Sequence, residues 1–367
     1  MRERDVTQLA EQAALGALLV DPAPLGQIRP WLRPGDFASL WHEWVYTTLL
    51  ERHSAGEPIG PVAVGEAMVD RFGPRLADVP RLHTLLASTP HSAHAAAYAR
   101  IVLDGGLRRE VDGLGVLLRA GALQTTLDGA QAPLMATCNV VDAGLDAAAS
   151  RWAHATGQPH DDVVVPLSVR AATRNLDARE SAARYLEAHP VPEAAAEHRH
   201  VVDLVGTLIA QPAHIRDVVG WLPPSRIADP AWRLIYAATL ELSELGAPVD
   251  LVTVAAASHR YAHHGPALPG LDELRDAVEA GWNAYPPQVA RAVVGDQLRH
   301  LADVGADQIH QAANNPGVLI AEITDTGHAI TAALRSVVSS GVRSAASNSP
   351  APVAVVAPAV HEAGARR

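Results

Sequence analysis

Eighteen histidines and one cysteine are the side chains of this sequence with the widest chemical reach. His259, His263 and His264 offer two imidazoles at i and i+4, a spacing that places both on one helical face and suits zinc. A zinc hydrolase also needs a glutamate between its histidines and a third ligand. Neither is present, so a solvated helix end is the better reading. The pairs His91/His94 and His198/His200 read the same way, and Asp161-Asp162 beside Pro159 reads as solvated loop. No G-x-S-x-G elbow, cysteine–histidine arrangement or glycosidase-like carboxylate pair emerges from the spacing. Gly113-Leu114-Gly115 lacks the third glycine and the preceding strand of a dinucleotide site. The expectation is a chain with no catalytic residue, no cofactor and no metal.

The basic residues narrow the chemistry further. The sequence has no lysine, so all 29 basic residues are arginine. A P-loop, whose lysine reaches the β- and γ-phosphates, is therefore excluded within these residues, as is Schiff-base catalysis. A formal net charge of -11 argues against a broad nucleic-acid footprint, which needs a basic stripe to displace counterions. Arg108, Arg109 and Arg119 have the reach to touch phosphate, yet in so acidic a chain they more readily face water or pair with Glu110 and Asp112. Cys138 has no partner thiol, which rules out an internal disulfide and fits a reducing cytoplasm. The charged opening Met1 to Asp5 does not read as a signal peptide, and no apolar run is long enough to span a membrane.

These residues must be held by helices. The sequence is 48% hydrophobic with only 4% aromatic, so Ala, Leu and Val fill the interior and favour helix. Residues 16–64 lie on 206–254 at a constant offset of 190 without a gap, with fifteen of the 49 positions identical. The matches include Gly16/Gly206, Pro22/Pro212, Trp31/Trp221, Pro34/Pro224, Tyr46/Tyr236, Gly56/Gly246 and Pro58/Pro248, types that seldom coincide by accident. Further on, Ala99, Arg100, Val102, Leu107 and Arg108 pair with Ala290, Arg291, Val293, Leu298 and Arg299. Each copy has the size of a domain. The expected organisation is one helical domain over 7–157, a linker over 158–195, a second helical domain over 196–340 and a disordered tail over 341–367. The linker mixes a β-like run at Val163 to Leu167 with a polar helix near Arg170 to Leu186.

Within each copy the signals predict a small helical head followed by a helical hairpin, an all-α fold. Asp21-Pro22 and Asp229-Pro230 read as a helix cap followed by proline at the first helical position. In copy two Trp232, Ile235, Tyr236 and Leu240 share a stripe that stops at Gly246, and Leu40, Trp44 and Thr48 repeat it in copy one. The first hairpin follows from Leu107, Val111, Leu114 and Leu118, then a break, then Leu134, Cys138, Val141, Leu145, Ala148 and Trp152 at coiled-coil spacing. The second follows from a break at Asn314, Asn315, Pro316 and Gly317, then Leu319, Ile323, Ile330, Leu334 and Val337. These apolar stripes are the candidate interaction surface.

The run Glu11-Gln12-Ala13-Ala14-Leu15-Gly16, then Leu18, Asp21, Phe37, Tyr46 and Gly56-Glu57-Pro58, resembles the N-terminal domain of DnaB-type replicative helicases. Gly246 to Val254 of the second copy resembles it more closely still. The resemblance implies a helical head with a hairpin that pairs between subunits into a collar, and contacts with primase, the replicative helicase or a helicase loader. Two departures stand out. The ATPase motor of that family has no counterpart here, and Val201 stands where the second copy should repeat Glu11. The expectation is a non-enzymatic, cytoplasmic interaction protein of DNA replication that self-associates through its hairpins and does not contact membrane. The alternative is a nucleic-acid-binding regulator acting through the Arg-bearing hairpins.

Overall fold

The computed structural model describes residues 3–159, 176–190, 194–261 and 266–347. Among them the regular structure is helical, with no strand, so the all-α expectation holds. The β-like run at 163–167, Asp161-Asp162, His263, His264 and residues 348–367 lie outside the described residues. In chain order the helices are α1 (Glu3–Val20), α2 (Leu25–Ile28), α3 (Leu40–Ala55), α4 (Pro61–Phe72), α5 (Pro74–Ala77), α6 (Val79–Ala87), α7 (Ala95–Asp128) and α8 (Ala132–Thr156). They continue with α9 (Leu176–Ala188), α10 (Ala194–Ala210), α11 (Ile215–Val219), α12 (Pro230–Glu244), α13 (Leu251–Tyr261), α14 (Leu271–Gly281), α15 (Pro286–Ala313) and α16 (Ile320–Ser347).

The chain divides into two compact units, one of residues 1–191 with 295–335, the other of 192–294 with 336–367. The second hairpin stretch, 295–335, thus groups with the first copy instead of closing a domain over 196–340. The stretch meets α7 and α8 through close contacts, Ala306 at Gly115 and Gly327 at Leu145, and through ion pairs. Helix α16 also carries the backbone to Ser347, through the first seven residues of the expected tail.

In the first unit, α1 through α6 form head one around Leu15, Leu18, Leu25, Ile28, Val45, Tyr46 and Leu49, all fully buried. Burial of so many large apolar side chains is the main stabilising term of a small helical domain. Gly16 is required where α1 crosses α6, since a Cβ there would stand 2.3 Å from the Leu85 carbonyl oxygen. The hairpin of α7 and α8 is fastened to this head by buried Arg151. Its guanidinium donates to the Trp31 carbonyl at 3.0 Å, to Glu110 at 2.9 Å and to the Asp36 carboxylate. Arg109 adds a bond to the Asp36 carbonyl at 2.6 Å. Helix α9, from the stretch read as linker, lies against α7, with Arg179 across Gly113 and bonded to the Arg109 carbonyl at 3.3 Å.

The second unit holds head two, built from α10 to α14, whose core includes Leu204, Leu208, Val218, Leu222, Ile227, Trp232 and Tyr236. Its internal bonds repeat those of head one at the offset of 190. The Tyr46 hydroxyl donates to the Leu32 carbonyl at 3.4 Å, and the Tyr236 hydroxyl donates to the Leu222 carbonyl at 2.7 Å. Gly206 meets α14 as Gly16 meets α6, with a Cβ there falling 2.1 Å from the Ala277 carbonyl oxygen. The helices α3 and α12 end in the same way. Gly56 and Gly246 adopt φ of 68° and 65°, and the next amide of each closes on a carbonyl five residues back, Glu57 on Arg52 and Ala247 on Leu242, both at 2.9 Å. That pairing is the Schellman end, which favours glycine because it needs the left-handed region.

One expected cap differs. Asp229 does cap α12, its side chain accepting from the Ala231 and Trp232 amides. Asp21 accepts only from the Ala23 amide and leads into the single turn of α2, because the long helix of head one begins at Leu40, the position equivalent to Pro230.

Candidate interaction site: two hairpins packed in one unit

Leu107, Val111, Leu114 and Leu118 of α7 and Leu134, Cys138, Val141 and Leu145 of α8 are buried, as the spacing predicted, while Trp152 is half-buried. On α16, Ile323, Ile330 and Leu334 are buried. Two predicted positions fall elsewhere. Leu319 is 65% exposed because the helix begins one residue later. Its backbone amide bonds the Glu322 carboxylate at 2.9 Å, the reach-back of a capping box, and Ile320 takes the core position instead. Val337 is half-buried, and its neighbour Val338 is buried. Seven residues after Ile323, Ile330 is buried in the same phase.

The two hairpins meet through an antiparallel seam with polar edges. Along α7 and α15, Asp112 pairs with His310 at 2.8 Å, and Arg119 pairs with Asp303 at 3.4 Å and Asp307 at 2.5 Å. Along α8 and α16, Asp142 accepts from the Thr331 hydroxyl at 2.5 Å and pairs with Arg335, which also donates to the Asn139 side-chain oxygen at 3.0 Å. His328 has Asp142 at 3.2 Å from Nδ1 and Asp146 at 3.1 Å from Nε2. Between these edges the helices touch closely, with Leu145 over Gly327 and Gly115 facing Ala306. Buried Arg108 closes the end of the bundle. It pairs with Asp104 at 2.8 Å and donates to the carbonyls of Asn315 at 2.9 Å and Val318 at 2.7 Å.

The environments set the protonation of these groups. Hydrogen bonding to Asp142 holds His328 in its charged form above the ordinary 6.5, burial opposing and the Asp146 charge assisting. For Asp142, burial pushes upward, but hydrogen bonds from His328, Thr331 and Arg335 outweigh it and hold the carboxyl below its ordinary 3.8. Burial pushes the Cys138 thiol up to about 11, so it is a packing residue and a poor nucleophile at neutral pH. Among the described residues no group of three or more His, Cys, Asp or Glu is placed to hold a metal ion. None of the helices there is long and apolar enough to cross a membrane.

Sequence reading found the stripes and missed the edges. Asp142 and Asp146 follow the core positions Val141 and Leu145 by one residue, and Thr331 and Arg335 follow Ile330 and Leu334 likewise. Charge character at these flanking positions was the available signal, since such positions choose partners in helical bundles. The buried pair Glu11 and His42 of head one, 2.7 Å apart, was also missed. Its equivalents in head two are Val201 and Trp232, both buried, so an apolar pair stands there in place of the polar one.

Comparison with known proteins places the two heads. One family model, the DnaB-like helicase N terminal domain, matches residues 4–104 and again 202–284, together half of the chain. The replicative DNA helicase DnaB of Mycobacterium leprae is 38% identical over 104 residues, 28% of this chain and 17% of that protein. The replicative DNA helicase DnaB of Leifsonia xyli is 34% identical over 105 residues, 28% of this chain and 23% of that protein. Among solved structures, the N-terminal domain of DnaB helicase from Mycobacterium tuberculosis is 36% identical, covering 30% of this chain and 81% of that one with a TM-score of 0.29. The matched stretch is thus about a fifth of the length of the helicases. The matched segments cover the heads and, in the first copy, the opening residues of α7, and with half of the chain matched the chain belongs to the DnaB-like helicase N-terminal domain family.

Proposed function

We propose that this chain is a non-enzymatic interaction protein of DNA replication in which one polypeptide imitates two subunits of a helicase collar. The observation that carries this reading is the packing of the 295–335 hairpin onto α7 and α8 within one unit. The resemblance to the helicase domain implies that such hairpins pair between subunits; here both members of the pair come from one chain. The bundle then presents a surface to primase, to the replicative helicase or to its loader. Without a lysine, these residues hold no Walker A motif, and nucleotide hydrolysis is not part of the proposed role.

Use of the hairpin arginines on nucleic acid is the weaker reading, because those side chains are already engaged. Arg108 is buried on carbonyls, Arg109 is bonded to Asp36, and Arg119 lies between two aspartates. The test is Leu145→Glu, which sets a carboxylate against Gly327 at the centre of the bundle. The purified full chain is expected to retain primase or replicative helicase on a column, and the variant is expected to lose both capture and compactness by light scattering. Capture and compactness surviving the substitution together would overturn the proposal, as would retention of DNA at moderate salt with no protein partner.

A further inference from the structure

The two hairpins meet about a local two-fold axis. On α7 and α15 equivalent residues differ by 191, as the match of Leu107-Arg108 with Leu298-Arg299 shows. By that count Gly115 faces its own equivalent, Ala306. Asp112 with His310 and Arg119 with Asp303 are the reciprocal contacts on either side. On α8 and α16 the offset is 189, which pairs the buried Leu134, Val141 and Leu145 with the buried Ile323, Ile330 and Leu334. Asp142 then faces its own equivalent, Thr331, and the reciprocal contacts are Asn139 with Arg335 and Asp146 with His328.

This symmetry lets each wrong pairing be written down. The α7 edge discriminates little, since Asp112 would meet Arg119 in a pair of first hairpins and Asp303 would meet His310 in a pair of second hairpins, while Val116 in the place of Asp307 would cost Arg119 one of its two aspartates. On the α8 edge everything does. A pair of first hairpins would set Asp142 against Asp142 on the axis and Asp146 against Asn139 on both sides, leaving a seam of carboxylates without a cation. Two second hairpins would set His328 against Arg335 twice, with Thr331 against Thr331. Asp142, Arg335 and His328 are partly shielded from solvent, with side chains 22%, 28% and 37% exposed, so water screens such like-charge contacts only in part.

We propose that the α8 edge is a specificity surface that admits only a hairpin of the second type, so that the first hairpin of another copy of this chain cannot displace 320–335. The residues that set the choice are Asn139, Asp142 and Asp146 on one side and His328, Thr331 and Arg335 on the other. This stands on the geometry of the seam and is independent of the replication role.

The test uses three full-length variants. The first is Asp142→Arg with Asp146→Arg, the second is His328→Glu with Arg335→Glu, and the third carries all four changes. The first two are expected to melt several degrees below the natural sequence, and the third to regain both its mass and its melting midpoint. When the first two are unfolded together and refolded as a mixture, each seam is matched only across chains, so a one-to-one pair of double mass is expected by light scattering. A four-fold variant no more stable than the two-fold ones overturns the proposal, even if those do not fold alone. A refolded mixture that contains only single chains overturns it as well.

Discussion

Tyr46 and Tyr236 occupy equivalent core positions and make the same bond with unequal geometry. Burial pushes both phenols well above their ordinary range, so each donates and neither ionises, although at Tyr46 the Asp36 charge adds to the effect. Tyr236→Phe leaves the Leu222 carbonyl buried without a partner it had at 2.7 Å, and is expected to cost about 1–2 kcal/mol in urea unfolding. Tyr46→Phe gives up a 3.4 Å bond and should cost visibly less. An equal or larger loss at Tyr46 would contradict this account. Both tyrosines were legible in the sequence, because an aromatic repeated at fixed offset among matching glycines and prolines marks a core position. The Glu11 and His42 pair was not, since two polar residues 31 apart leave no periodic trace until the fold brings them together.

Among the elements, the long helices were legible from their stripes, while their starts were legible only where a cap acts. Asp229 both accepts from two amides of α12 and pairs with His198 at 3.1 Å. Asp229→Ala is expected to lower stability by about 1 kcal/mol. At the equivalent position Ser39 makes no side-chain bond to the α3 backbone, so Ser39→Ala should stay within about 0.5 kcal/mol of the natural chain. Equal effects from the two substitutions, measured as urea midpoints, would show that capping does not separate the heads. The Asp21-Pro22 pair illustrates why the motif alone misled. Its carboxylate satisfies one amide of a turn, and a cap without a following apolar stripe starts no more than the single turn of α2.

For the whole molecule, the hairpins were readable as stripes in need of cover, but the partner each would choose lay in side chains outside the stripes. The same edge gives the fold a pH dependence. His328 titrates above its ordinary 6.5 in the folded state, so its contribution is complete below that value and is lost as pH rises through the raised one. Asp142 titrates below its ordinary 3.8, so its contribution is present above that value and is lost as pH falls through the lowered one. Stability from this cluster is therefore greatest between those limits. The urea midpoint of the natural chain should fall on the alkaline side more than that of His328→Gln, and parallel curves would remove the assignment. The placement of both hairpins on one chain has a final consequence, for mass action. A collar element assembled from separate subunits dissolves on dilution, and its occupancy follows the amount of protein a cell makes. Here the closing step is first order and indifferent to dilution, so the bundle is as complete at a few copies per cell as at thousands.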